Sequence, residues 1–294
     1  MSLLSLCAPG RLGLSFELFP PKTAVAEESL WQNVAELMAF KPDFLTCTYG
    51  AGGSTRSKTL DICRGVKQRF CVPVASHLTC VGSTVEQLLG YLSEAQAAGI
   101  DYIVALRGDP PKGESSFKQV PGGLKYANEL VALIRREFPR LGLLVAGYPE
   151  KHQECASAQL DLENLKRKVG AGGDVVVTQL FYDNADFFRF RECYDKAGIK
   201  APLVPGILPV TNLSQIQRIT SMCGAKLPAR FTAALSAQGD DADAQFRAGI
   251  DFAIEQVQEL LDAGIPGIHF YVLNRSHATA AVLQALKLKR SYVE

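Results

Sequence analysis

Short apolar runs alternate with longer amphipathic ones along the whole chain, and this alternation restricts the fold more than any other feature. Candidate strands are Leu12–Phe19, Asp43–Thr48, Val72–Leu78, Tyr102–Leu106, Leu143–Tyr148, Asp174–Phe181, Leu203–Ile207 and Gly267–Leu273. They are rich in Val, Ile, Leu and Phe with little polar alternation, as strands buried on both faces are. The gaps carry helical patterns at Ser29–Phe40, Arg56–Phe70, Val85–Ala98, Leu124–Phe138, Ala156–Gly170, Asp186–Ala197 and Leu213–Cys223, with a last one after Asn274. Three helical patterns stop at Gly99, Gly198 and Gly264, each followed by Ile, as expected of a left-handed glycine cap leading into the next strand.

A strand–helix alternation of this kind closes as a (β/α)8 barrel or stays open as a doubly wound sheet. The 294 residues suit a barrel of about 250 residues with insertions. No linker or composition shift divides the chain, so residues 1–294 read as one domain, with 1–11 as an N-terminal arm. The stretch Lys226–Gly264 exceeds one helix and predicts an extra helix before the last strand. The Pro/Gly/Ser-rich stretch Pro110–Gly123 reads as a long loop after the fourth strand.

Composition narrows the function classes. Hydrophobic residues at 47% against 21% charged exclude a disordered chain, and a net charge of +1 provides no global field for nucleic acid or an anionic membrane. No apolar run approaches the roughly 20 residues that cross a bilayer, and the start lacks a basic leader, so a cytoplasmic protein is expected. Eight scattered cysteines without a Cys-x-x-Cys pair suggest a reducing compartment. His77 and Cys80 lack a second ligand pair, so no metal site is expected.

In a barrel the reactive groups gather at the C-terminal ends of the strands. Those ends collect Glu17, Thr48, His77, Arg107-Gly108-Asp109, Tyr148 to His152, Gln179, and His269 with Tyr271 and Arg275. Glu17 stands between Phe16 and Leu18, where apolar surroundings should raise its pKa and let it hold a proton at neutral pH. A strand-end ion pair is the alternative. Gly108 permits close approach of backbone to a ligand, and Arg107 offers a fork of donors for phosphate; an Arg–Asp pair closing the barrel end competes with that reading. Asp161, Asn164 and Lys168 share a helix face beside Arg167, either to grip a polyol and a diphosphate or as a solvated face. The stretch Gly50 to Thr55 fails the Gly-x-Gly-x-x-Gly and P-loop patterns and reads as a loop lining the mouth. No Gly-x-Ser-x-Gly elbow supports nucleophilic catalysis.

Taken together, Phe16-Glu-Leu-Phe-Pro-Pro-Lys, Thr48-Tyr-Gly-Ala, His77-Leu-Thr-Cys, Ala105-Leu-Arg-Gly-Asp, Tyr148-Pro-Glu-Lys-His, Asp161-Leu-Glu-Asn-Leu-Lys-Arg-Lys, Thr178-Gln-Leu-Phe-Tyr-Asp, Pro205-Gly-Ile-Leu-Pro and His269-Phe-Tyr-Val-Leu-Asn-Arg resemble methylenetetrahydrofolate reductases. The likeness runs in order from about residue 12 to residue 288 and looks like the short, catalytic-only bacterial form. It implies a barrel with non-covalent FAD at its mouth and a ping-pong reaction through one shared site. Reduced nicotinamide (NADH or NADPH) reduces the flavin, and 5,10-methylenetetrahydrofolate then becomes 5-methyltetrahydrofolate. Glu17 would be the general acid at N10, and Asp109 would hold the pterin near the flavin. Gln179, Gln215, Ile219, Tyr271 and Arg275 would line the substrate place. Thr48, His77, Arg107, Gly108, Asp109, Ala127, Tyr148, His152, Cys155, Asp161, Asn164, Arg167 and Lys168 would touch FAD, Lys168 at the N1–C2 edge. At Ile219 the family can carry a Phe, and Ile offers bulk without an aromatic face. The resemblance further implies a homo-oligomer, with no nucleic-acid or membrane partner. A flavin-independent methyl-transfer barrel is the competing enzyme class.

Overall fold

The computed structural model describes residues 2–49, 56–110, 113 and 116–288. The loop Gly50–Thr55 and part of Pro110–Gly123 therefore lie outside the described residues. The strands are β1 Gly13–Leu18, β2 Phe44–Cys47, β3 Val74–Thr79, β4 Tyr102–Leu106, β5 Gly142–Gly147, β6 Val175–Thr178, β7 Leu203–Val204, β8 Gly206–Ile207 and β9 Gly267–Tyr271. All pairings are parallel, in the order β7-β6-β5-β4-β3-β2-β1-β9-β8. β7 and β8 are two halves of the expected Leu203–Ile207 strand, parted at Pro205, which has no N–H to give to a ladder. The first half pairs with β6 and the second with β9, and the Pro205 carbonyl accepts the His269 N–H at 3.0 Å. The ring thus closes on itself as a (β/α)8 barrel with one broken stave.

The helices are α1 Leu3–Leu6, α2 Ala24–Met38, α3 Arg56–Phe70, α4 Val85–Ala97, α5 Ala127–Glu137, α6 Ala158–Gly170, α7 Asn184–Lys196, α8 Leu213–Cys223, α9 Ala229–Ser236, α10 Ala242–Asp262 and α11 His277–Leu286. Several starts are fixed by caps. The Thr23 hydroxyl accepts the Ala26 N–H, which moves α2 five residues ahead of its expected start, and Asp183 caps α7 in the same way. Lys226–Gly264 holds two helices, α9 and α10, rather than the one extra helix expected. They pack with α8 in a separate apolar wing, where Phe231 and Phe252 stack at 3.8 Å.

Strand residues alternate between two buried faces. On β1, Leu14, Phe16 and Leu18 face the helix layer with Leu30, Val34 and Leu37 of α2, while Ser15 and Glu17 face into the barrel. The lower interior is apolar: Phe44, Tyr102, Leu144, Val175 and Val204 meet Leu3 and Leu6 of α1, which plugs that end. Three aspartates clasp alternate strand pairs at their N-terminal ends. Leu14 N donates to Asp43 Oδ2 at 2.7 Å, Val74 N to Asp101 Oδ2 at 2.9 Å, and Leu143 N to Asp174 Oδ2 at 2.7 Å. Each aspartate also pairs with a cation, respectively Arg11, Lys67 and Arg135. The bottom is thereby fixed, and the polar chemistry is left to the other end.

Candidate active site

The interior turns polar at the C-terminal ends of the strands. Register sets Ser15 beside His269 and Glu17 beside both Thr46 and Tyr271. Ser15 Oγ and His269 Nδ1 are 2.8 Å apart. Glu17 Oε2 lies 3.8 Å from Nε2 of His269 and 3.2 Å from Nε2 of His77. The His77 approach is close in distance but poorly aligned, so Nε2 is left without a hydrogen-bond partner, as are Thr46 Oγ1 and Thr79 Oγ1. Unpartnered buried polar atoms at the same end of the barrel as a buried carboxylate are costly unless something else completes them.

Glu17 is 7% exposed, and burial pushes its pKa up. The neighbouring imidazoles of His269 and His77 outweigh burial and hold the carboxyl at about 2, below its ordinary 4.5. This corrects the sequence-based expectation of a raised value. The apolar neighbours Phe16 and Leu18 belong to the other face of the strand, and the groups that meet the carboxyl come from β3 and β9.

A second group gathers over β4, β5 and α6. The Tyr148 and His152 rings meet edge to face at 4.7 Å, and Lys168 Nζ lies 5.7 Å from the Tyr148 ring centre while donating to the Ala146 carbonyl. Burial brings the Lys168 pKa down to about 8. His152 N donates to Asp161 Oδ2 at 2.9 Å, Arg167 donates to Asn164 Oδ1 at 2.6 Å, and Asn164 Nδ2 stands 4.0 Å from Cys155 Sγ. The helix face that the sequence left open between grip and solvent is half-buried at Asp161, Asn164 and Lys168 and exposed at Arg167. Arg107 spends its fork on Glu154 at 2.7 and 2.8 Å and lies 5.3 Å from the Phe117 ring centre. The Arg107–Asp109 ion pair considered from sequence is therefore replaced by Arg107–Glu154. Asp109 is exposed and acts on Arg107, Tyr148 and His152 through charge. Gly108 has φ +89°, and a Cβ there would lie 2.7 Å from Val81 Cγ1. Thr48 follows β2, half-buried, and Ala127 opens α5 at the same barrel end.

Tyr271 joins the two groups. Its hydroxyl donates to the Thr178 carbonyl at 2.7 Å, its ring meets His269 edge to face, and it feels the charges of Glu17 and Tyr148. Gln179 is half-buried, with its amide oxygen accepting the Leu180 N–H. Gln215 accepts from the Thr211 hydroxyl at 2.9 Å, and Ile219 packs into the apolar wing one turn further along α8. Arg275 is exposed after β9. Gln215, Ile219 and Arg275 make no hydrogen bond to the Glu17 group among the described residues. Sequence reading placed Thr46, Thr79 and His269 at polar strand ends without giving them a role, and did not single out Ser15 or Glu154. The available signal was polar residues two apart within apolar runs, Ser15 with Glu17 and His269 with Tyr271. A wide surface groove of about 650 Å³, lined by Trp31, Gln32, Arg69 and Phe70, lies on the helix layer away from these groups.

Residues 3–287 match the family model described as methylenetetrahydrofolate reductase. The Escherichia coli 5,10-methylenetetrahydrofolate reductase is 38% identical over 95% of this chain and 92% of its own length. The Arabidopsis thaliana methylenetetrahydrofolate reductase (NADH) 1 is 40% identical over 97% of this chain, which spans only 50% of that relative. Among solved structures, an uncharacterized Clostridium thermocellum protein that binds two copies of 5-methyl-5,6,7,8-tetrahydrofolic acid superposes with a TM-score of 0.63 at 15% identity, covering 97% of this chain and 98% of its own. That likeness concerns the fold alone. No helix among the described residues is long and apolar enough to cross a membrane.

Proposed function

Because the chain belongs to the methylenetetrahydrofolate reductase family, we propose that it reduces 5,10-methylenetetrahydrofolate to 5-methyltetrahydrofolate with NADH, using FAD held at the barrel mouth. The observation that carries this reading is a buried carboxylate, Glu17, with the unpartnered Thr46 hydroxyl on the neighbouring strand and His77 Nε2 3.2 Å away, where the barrel opens.

The residues fit a flavin. Tyr148, His152, Asp161, Asn164 and Lys168 form one linked face beside the mouth, and Gly108 lets the chain between β4 and α5 lie against Val81 and Thr79, where a Cβ would clash. Thr48, Arg107, Asp109, Ala127, Cys155 and Arg167 extend that surface. When bound, FAD supplies the two-electron carrier between nicotinamide and folate. Lys168, with a pKa near 8, is mostly charged at neutral pH and would favour negative charge on a flavin held against this face.

Glu17 gives the proton that opens the five-membered ring of the folate at N10. In the open mouth its carboxyl is ionised, held so by His77 and His269. A pterin packed over it removes the remaining water and moves its pKa upward. His77, 3.2 Å away, is in reach to hand over the proton. Gln179, Tyr271 and Asp109 line the pterin place, while Gln215, Ile219 and Arg275 flank it from α8 and the loop after β9.

Glu17→Gln tests the assignment. Folate reduction should fall at least about 100-fold, the usual scale for losing a general acid, while NADH still reduces the bound flavin. Unchanged folate reduction would remove Glu17 from the mechanism.

A further inference from the structure

Within the stretch Tyr148-Pro-Glu-Lys-His, Glu150 and Lys151 have no role in the site as described, yet both are committed elsewhere. Lys151 adopts φ +84°, and its ammonium donates to the carbonyls of His152, Gln153 and Cys155. Glu154 N donates to His152 Nδ1 at 3.2 Å, and Arg107 holds the Glu154 carboxylate. Residues 148–155 are thus knotted into one unit. One side of that unit carries Tyr148, His152 and Cys155.

The other side grips the turn between α8 and α9 at three points. The Gln153 amide donates to the Met222 carbonyl at 2.9 Å, at the C-terminal end of α8. Both oxygens of Glu150 accept the Lys226 N–H, at 3.0 and 3.2 Å. Gly224 has φ +76°, and a Cβ there would sit 2.6 Å from Gln153 Cγ, so the contact requires a glycine. Charged acceptors on backbone N–H groups are the stronger class of hydrogen bond. The helix held in this way is the one that carries Gln215 and Ile219.

We propose that Glu150 and Gln153 are positioning residues that couple the flavin-facing loop to α8, so that a bound flavin sets the helix presenting Gln215 and Ile219 to the folate. The proposal rests on the flavin reading of the 148–155 loop. Coupling through such a strap is reciprocal: whatever orders the loop orders α8, and folate on α8 steadies the loop.

Hydrogen exchange of the full chain with and without FAD tests it. In the wild type, FAD should slow exchange across 148–155 and also slow α8 amides about fivefold or more. In Glu150→Ala/Gln153→Ala the loop should still respond and α8 should not, and KM for methylenetetrahydrofolate should rise with kcat little changed. Glu150→Gln, which keeps an acceptor oxygen, should retain the coupling, and Gly224→Ala, which displaces Gln153, should lose it. An α8 indifferent to FAD in the wild type, or equally responsive in the double alanine variant, overturns the proposal. Absence of FAD uptake would instead overturn the flavin reading beneath it.

Discussion

At the scale of single residues, Glu17 is the buried carboxylate of the mouth. Its folded pKa of about 2 lies below the ordinary 4.5, so its contribution to stability is present in full above about pH 4.5 and is lost as pH falls toward 2. The size of that contribution is on the order of 3 kcal/mol. Denaturant unfolding of wild type and Glu17→Gln at a series of pH values should show their stability gap narrowing below about pH 4.5; a gap independent of pH would mean that the histidines do not hold the carboxylate. Gly108 makes a second residue-scale test. Gly108→Ala forces a side chain into φ +89° against Val81 and Thr79, and should cost about 1–3 kcal/mol in thermal melting and weaken FAD binding. Gly108 was legible in sequence as a position that needs glycine, although what it meets in the structure is Val81 and Thr79. The ionisation of Glu17 was not, because a one-dimensional neighbourhood shows Phe16 and Leu18, whereas the groups that decide it stand on β3 and β9.

At the scale of elements, apolar runs located every strand because a parallel barrel buries both faces of each one. Their ends were less legible. β6 stops at Thr178 rather than Phe181, and Pro205 splits the seventh stave. The apolar pair Leu180-Phe181 resumes past the polar Thr178-Gln179 where β6 ends, and no change in hydrophobicity marks the split at Pro205. The aspartate clasps were invisible for the same reason: Asp43, Asp101 and Asp174 read as strand-edge acids, and only register reveals that each binds the N–H of the neighbouring strand. α1 shows how an N-terminal arm becomes part of the core. Leu6 is 1% exposed against the floor of the barrel, so Leu6→Ala should lower stability by about 2–5 kcal/mol in chemical denaturation. A loss under 0.5 kcal/mol would mean that α1 does not close the barrel.

At the scale of the whole molecule, the two ends of the barrel divide the work. The floor is apolar, plugged and clasped by ion pairs, while the mouth gathers Glu17, two histidines and the Tyr148–Lys168 face. The strand–helix alternation left closure and an open sheet both possible, chain length favoured closure, and the polar strand ends marked the mouth. What sequence reading left unseen is how the mouth is wired, namely Arg107 to Glu154 and the 148–155 loop to the α8–α9 turn. These are contacts between loops distant in sequence, with no periodic signal. The central claim, that one mouth carries electrons from nicotinamide to folate, is tested most directly by a two-step single turnover of the purified full chain loaded with FAD. Mixing with NADH under anaerobic conditions should bleach the visible flavin absorbance, and subsequent 5,10-methylenetetrahydrofolate should restore it with one equivalent of 5-methyltetrahydrofolate formed. Protein that takes up no FAD, or bleached protein whose colour the folate does not restore, would contradict it.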